Sequence, residues 1–151
     1  MNALPTLCLF VRDFLCVPLV NSAPDTDTRP LLRVPNPAVP ATPWAELHGR
    51  VVAAARDAAA RPFCFALDDG TAVCECVWFA PPVDAAARPV VGAFVLCRGL
   101  LRTADRLARA RARTPVRQLS VATVRPLSPA GDHLMLARAD REAMRLRYGL
   151  V

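Results

Sequence analysis

The chain has 151 residues, 54% of them hydrophobic, which is enough apolar material for one domain with a substantial core. Its 19 basic residues are all arginine, and its net charge is +6. Residues 4–20 are apolar but are interrupted by Arg12, Asp13 and Pro18 and lack a basic start. We therefore expect no signal peptide, no membrane-spanning helix and no membrane partner.

The first 45 residues are predicted to be an extension that precedes the main domain. Residues 7–15 fit a strand or a short helix that joins the core. Six prolines between residues 21 and 43 indicate an extended loop, with a short strand at 31–34.

Three strands are predicted next. Residues 44–55 form a long strand in which Gly49 would mark a bulge or a sharp bend, as the closure of a barrel requires. Residues 63–67 and 73–79 alternate in the manner of two further strands. The sequence Asp68-Asp69-Gly70-Thr71 joins them as a turn, because Asp-Gly favours positive φ and the Asp and Thr oxygens bond nearby N–H groups.

The second strand of this hairpin has two distinct faces. Cys74, Cys76 and Trp78 share one face, and Glu75 and Phe79 share the other. Because Glu75 is expected to be exposed, its face is the solvent or ligand face, and Trp78 points into the core. An exposed Phe79 is suited to stacking against a nucleotide base.

The six cysteines contain no Cys-x-x-Cys pair. They are predicted to be small buried residues in a reducing compartment. We expect no metal site and no cofactor.

The second half of the chain adds two strands and a helix. Residues 90–102 and 117–124 predict strands, and residues 104–113 between them fit a basic helix or a loop. A final helix over 133–148 begins after Asp132, which can cap it.

This order of elements predicts a mainly β fold, a five-stranded OB-fold barrel with a C-terminal α-helix. The extension would span residues 1–45, the barrel 46–127 and the helix for partner pairing 128–151. An SH3-like barrel and an α+β sheet are the alternative folds.

The positive charge is concentrated in one segment. Residues 98–117 contain seven arginines and one aspartate, and elsewhere acidic and basic residues cancel. This excess fits a phosphate-bearing partner, whereas the alternative is a solvated loop in an arginine-biased protein. Together with the exposed aromatic residue, the candidate nucleic-acid-binding residues are Phe79, Arg102, Arg106, Arg109, Arg111, Arg113 and Arg117.

The final helix carries two apolar stripes. The larger consists of Met135, Leu136, Ala139, Ala143 and Leu146, the smaller of Ala137, Met144 and Tyr148, and Arg138, Arg141 and Arg145 form a ridge between them. A helix that packs only on its own domain needs one stripe. We therefore assign the larger stripe to a partner, through Leu136, Ala139, Ala143 and Leu146, and the smaller stripe to the barrel. The alternative is that the weaker stripe is simply exposed.

Several runs of residues resemble the OB domain of the STN subunit of the CST telomere-capping complex. They are Phe10-Val-Arg-Asp-Phe14, Leu47-His-Gly-Arg-Val-Val52, the hairpin 63–79 and Arg98-Gly-Leu-Leu-Arg-Thr103. The middle subunit of replication protein A is related and shares the Asp-Asp-x-Thr turn. The resemblance extends over nearly the whole chain.

The resemblance implies a nuclear, non-enzymatic protein at telomeres. Such a subunit pairs with a small TEN-type OB subunit through its C-terminal helix and joins a large CTC-type subunit. The complex holds single-stranded telomeric DNA and supports fill-in synthesis by DNA polymerase alpha–primase. One departure concerns stacking: an aromatic residue of the family, expected just after Arg102-Thr103, is Ala104 here. This subunit alone is therefore expected to hold DNA weakly.

Three other functions compete with this one. A general single-strand-binding subunit, like the middle subunit of replication protein A, is the main alternative. An enzyme is disfavoured because Asp68 and Asp69 are adjacent in a turn and His48 and His133 are isolated. A purely structural bridge remains, since Glu75 would place an acid on the face assigned to DNA.

Overall fold

The computed structural model describes residues 5–21, 29–57, 59–103, 116–128 and 132–150. These ranges contain eight strands and two α-helices. Their bounds are β1 Leu7–Cys8, α1 Val11–Cys16, β2 Leu19–Asn21, β3 Pro30–Leu32, β4 Trp44–Ala54, β5 Phe63–Asp68, β6 Val73–Trp78, β7 Phe94–Thr103, β8 Arg117–Pro126 and α2 Asp132–Tyr148. Within the described ranges, no helix is long and apolar enough to cross a membrane.

Strands β4 to β8 close into a barrel. Their order is β4-β5-β6-β8-β7, and β7 pairs again with β4. Strands β6 and β8 run parallel, whereas the other four pairings are antiparallel. The closed five-stranded barrel followed by a helix confirms the predicted OB-fold and differs from the SH3-like and α+β alternatives.

Two glycines let neighbouring strands approach closely. A β-carbon at Gly49 would lie 2.5 Å from the carbonyl oxygen of Asp68, and one at Gly99 would overlap that of Ser120. The register of β7 against β8 shifts at Gly99. In β4 the shift falls between Val51 and Ala53, two residues beyond the predicted position at Gly49.

The barrel interior follows the predicted alternation. Phe63, Phe65 and Leu67 of β5 are buried opposite the buried face of β6, which includes Trp78. Cys74, Cys76 and Cys97 are buried as well, whereas Cys16 is exposed, so the prediction of buried cysteines is right for only part of the set. Contacts with the thiols of Cys74 and Cys97, together with burial, raise the pKa of Cys76.

The N-terminal extension packs directly on the barrel. Strand β1 pairs in parallel with β4, where Leu7 lies opposite Ala45. Leu7, Leu9 and Phe14 are fully buried and belong to the same core as the barrel residues.

Helix α2 rests on the extension and the barrel through its smaller stripe. Tyr148 is buried, and Met144 packs against the core. The Tyr148 hydroxyl accepts a hydrogen bond from the Cys8 N–H at 3.2 Å. The helix ends at Tyr148 and is followed by Gly149, whose φ of +73° suits glycine.

One arginine of the predicted ridge is buried. Arg141 is 3% exposed and donates from Nε to the carbonyl of Leu9 at 3.2 Å. Its Nη2 lies 3.8 Å from Oε1 of Glu46. Arg141 therefore faces the barrel between Ala137 and Tyr148, because a carboxylate and a carbonyl there compensate for the burial of its charge.

Candidate nucleic-acid interface

A groove of about 860 Å³ runs over the outer face of β5 and β6. Its floor consists mainly of small side chains, and its walls come from the N-terminal extension and from the start of β8. The lining residues are Leu15, Leu19, Ala53, Ala54, Ala55, Cys64, Phe65, Ala66, Val73, Glu75, Val116 and Arg117. These strands are the second and third of the barrel, the face with which OB-folds bind oligonucleotides.

Phe79 lies immediately after β6, next to this face. Its side chain is 50% exposed, as strand parity predicts, while the preceding Trp78 is 7% exposed. The guanidinium carbon of Arg102, on β7, lies 4.9 Å from the centre of the Phe79 ring. The pair places an aromatic surface and a positive charge together, the two features that hold a base and its phosphate.

Glu75 adds a negative charge to the groove floor. It is half-buried, and its Oε2 accepts a hydrogen bond from Nε2 of Gln118 at 2.9 Å. Burial raises the pKa of the Cys64 thiol, Glu75 raises it further, and Arg102 lowers it. A phosphate backbone is therefore favoured on the Arg102 side of the groove and disfavoured over Glu75.

Arg117 has a structural role that the sequence did not reveal. Its Nη1 donates to the carbonyls of Phe14 at 2.9 Å and Val17 at 2.6 Å. These bonds tie the start of β8 to the end of α1, and burial lowers the pKa of the guanidinium. Its contact with nucleic acid stays a prediction, as do those of Phe79 and Arg102. Arg106, Arg109, Arg111 and Arg113 lie outside the described residues, and so does Ala104.

A second arginine–aromatic pair was not predicted. The guanidinium carbon of Arg98 lies 5.3 Å from the centre of the Trp44 ring. Arg98 belongs to the basic segment and lies four residues before Arg102 on the same strand. Because residues four apart on a strand share one face, this spacing could have predicted that both arginines point outwards. Trp44 gave no signal, because the pairing of β4 with β7 is a long-range contact.

From Leu136 onwards, the larger stripe of α2 faces away from the barrel. Leu136 is 61% exposed and Leu146 is 81% exposed, and Ala139 and Ala143 between them are also exposed. This is an apolar surface with small residues at its middle. Its use by a partner stays a prediction.

His48 is a buried histidine beside Phe10. Its ring centre lies 6.5 Å from that of Phe10, and no residue within the described ranges forms a hydrogen bond with Nδ1. Burial, with a contribution from Arg141, lowers its pKa to about 4. Across the part of the chain that the structure describes, no three His, Cys, Asp or Glu side chains are grouped as metal ligands.

The closed five-stranded barrel with its C-terminal helix places this chain among the OB-folds, and an aromatic–arginine pair lies beside the face of β5 and β6. A replication protein A heterotrimer bound to single-stranded DNA is similar, with a TM-score of 0.56 and 16% identity over 85% of this chain and 88% of that chain. The Stn1–Ten1 complex of S. pombe has a TM-score of 0.55 and 14% identity over 72% of this chain and 75% of that chain.

The yeast Stn1 and Ten1 structure is also similar, with a TM-score of 0.51 and 13% identity over 73% of this chain and 56% of that chain. No family model matches the chain, and no curated protein matches it. At these identities, the likeness establishes the OB-fold.

Proposed function

We propose that this chain is a non-enzymatic OB-fold subunit that binds single-stranded DNA in a telomere-capping complex of the CST type. The observation that carries the proposal is the exposed ring of Phe79, under the guanidinium of Arg102, beside the groove on β5 and β6. Base stacking needs an exposed aromatic surface, and phosphate binding needs positive charge close to it.

The proposed mode of binding uses stacking and charge rather than base-specific hydrogen bonds. One base stacks on Phe79, and Arg102 contacts the adjoining phosphate. The basic connection with Arg106, Arg109, Arg111 and Arg113 follows the backbone, and Arg117 contributes from the start of β8. Such binding is tolerant of sequence and weakens steeply as salt rises.

The proposed partners follow from the exposed stripe of α2. A small TEN-type OB subunit would cover Leu136, Ala139, Ala143 and Leu146, and a large CTC-type subunit would complete the complex. The similar structures that contain Stn1 together with Ten1 support this pairing. In the nucleus, at telomeres, the complex would hold single-stranded DNA and support DNA polymerase alpha–primase.

The test is purification of the tagged full-length chain from native extract, followed by identification of its stable partners. We expect a small OB protein and a large protein with several OB domains, and binding of the purified complex to single-stranded telomeric DNA. Recovery of the chain without an OB partner would contradict the proposal.

A general single-strand-binding role, like that of the middle subunit of replication protein A, is the second candidate. It is favoured by one observation: the replication protein A structure matches 85% of this chain, more than either Stn1 structure does. Co-purification with the other replication protein A subunits would identify this role and exclude the CST-type assembly.

A further inference from the structure

We propose that Trp44 is a second base-stacking platform and that a bound single strand extends from Phe79 across the outer face of β7 to Trp44. The inference rests on the proposed DNA-binding function and adds a site outside the groove. Arg98 would hold the Trp44 ring and contact the backbone there, as Arg102 does at Phe79.

Trp44 has a fixed backbone on the outside of the barrel. It is the first residue of β4 and lies opposite Leu100 of β7. Its N–H donates to Oγ1 of Thr42 at 3.2 Å, and the neighbouring Pro43 carbonyl accepts from the Leu101 N–H at 2.7 Å. These bonds hold the residue that carries the half-buried indole in place. Less conformational entropy is therefore lost when a base stacks on the ring.

The charge of Arg98 is available because the acid across the strand is engaged elsewhere. Glu46 lies opposite Arg98 in the register of β4 and β7. Its carboxylate instead lies 3.8 Å from Nη2 of Arg141 and accepts from the Cys8 thiol at 3.7 Å. Arg98 is exposed and makes no ion pair among the residues that the structure describes, so its guanidinium stacks on Trp44 and keeps its charge for a phosphate.

The two pairs form a regular arrangement along β7. Arg98 and Arg102 are four residues apart and both point outwards, which separates their Cα atoms by about 13 Å. Their guanidinium carbons lie 5.3 Å and 4.9 Å from the rings of Trp44 and Phe79. The two platforms thus lie on one outer surface, at a spacing that a short run of extended single strand can bridge.

The arginine–aromatic pair elsewhere on the barrel shows what distinguishes these two. Arg88 lies over Phe63, with its guanidinium carbon 5.4 Å from the ring centre. Both residues are buried, however, and Arg88 donates to the carbonyls of Pro82 and Ala60. That pair holds two loops together, whereas Arg98 is open to solvent.

The test measures the affinity of the full-length chain for oligothymidylates of increasing length at low salt, by fluorescence anisotropy. We expect Trp44→Ala to bind long oligomers roughly 5- to 100-fold more weakly than the wild type. Oligomers too short to leave the Phe79 site should bind Trp44→Ala as they bind the wild type. Trp44→Phe, which keeps an aromatic ring, should retain most of the affinity, and Phe79→Ala should weaken binding at every length.

A second readout is the intrinsic fluorescence of the chain, whose two tryptophans are Trp44 and the buried Trp78. Long oligomers should quench the wild type but not Trp44→Phe. If the wild type binds DNA and both Trp44 variants bind oligomers of every length as tightly as the wild type does, the second platform is refuted while the proposed function stands. If the wild type binds no oligomer, the proposed function itself fails, and the inference fails with it.

Discussion

Asp69 caps the helix that begins at Val11: its Oδ2 accepts a hydrogen bond from the Val11 N–H at 2.7 Å. Oγ1 of Thr71 accepts from the next N–H, that of Arg12, at 3.1 Å. Phe10, at the N-cap position, offers no side-chain acceptor. The turn between β5 and β6 therefore supplies the capping groups that α1 lacks in its own sequence, and it joins the extension to the barrel.

Asp69→Ala is expected to lower the free energy of unfolding by about 1–2 kcal/mol, because it removes this cap and a bond to the Thr71 N–H. Asp68→Ala is the matched control: among the described residues, the Asp68 carboxylate accepts only from the exposed Gly70 N–H, through Oδ1, so this substitution should cost about 0.5 kcal/mol. Urea denaturation measures both. Equal losses would contradict the capping role.

Arg141→Met is expected to destabilise the protein by about 2–3 kcal/mol, because it leaves the Glu46 carboxylate and the Leu9 carbonyl without their partner. Arg138→Met is the control, since Arg138 is 70% exposed and, in the part of the chain that the structure describes, pairs only with the exposed Glu142; this substitution should change stability by less than about 0.5 kcal/mol. Hydrogen exchange of α2 should speed up in the first variant only. Unchanged exchange there would mean that Arg141 does not anchor the helix.

Stability should fall as the pH falls below 6.5. The pKa of His48 is about 4 in the folded chain, against an ordinary value of 6.5, so the unfolded chain binds the proton more tightly. The contribution is fully present above pH 6.5 and is lost as the pH approaches 4, with about 2 kcal/mol lost at pH 5. Urea denaturation at pH 7 and pH 5 measures this loss. In His48→Gln, the loss of stability between the two pH values should be smaller by about 2 kcal/mol. The same loss in both proteins would show that other groups cause it.

Local patterns were enough to predict the barrel. In β5 and β6, residues such as Phe65 and Trp78 obey the two-residue period of a strand, and this fixed which side chains are buried. The same parity placed Phe79 outside the barrel. The sequence also predicted that Asp69 bonds a nearby N–H group in its own turn, but not that it bonds the distant Val11 N–H.

Long-range partners account for what the sequence did not reveal. The cap that Asp69 gives to Val11, the burial of Arg141 against Leu9 and the contact of Arg98 with Trp44 all join residues far apart in the chain. Helical periodicity placed Arg141 between the two stripes. The Leu9 carbonyl and the Glu46 carboxylate beneath the helix make its inward orientation favourable, and neither is near Arg141 in the sequence.

Ala143→Glu is expected to separate the chain from the proposed small OB partner without unfolding it. Ala143 is exposed in the chain alone, and a glutamate there is a good helix former, but in the proposed interface it would bury an unpaired charge. Gel filtration of the co-expressed pair measures the loss, and circular dichroism checks the fold. Ala143→Ser, which stays small, should keep the partner. If Ala143→Glu keeps it as well, this stripe is not the interface.

The most direct test of the account is the salt dependence of single-stranded DNA binding by the purified full-length chain. Phe79→Ala should lower the affinity by about 1–3 kcal/mol with little change in slope, because stacking releases few ions. Replacement of Arg106, Arg109, Arg111 and Arg113 by glutamate should lower the affinity and flatten the slope, whereas replacement of Arg33, exposed on the extension, should do neither. If Phe79→Ala and the arginine variant both bind like the wild type at every salt concentration, this face does not bind DNA.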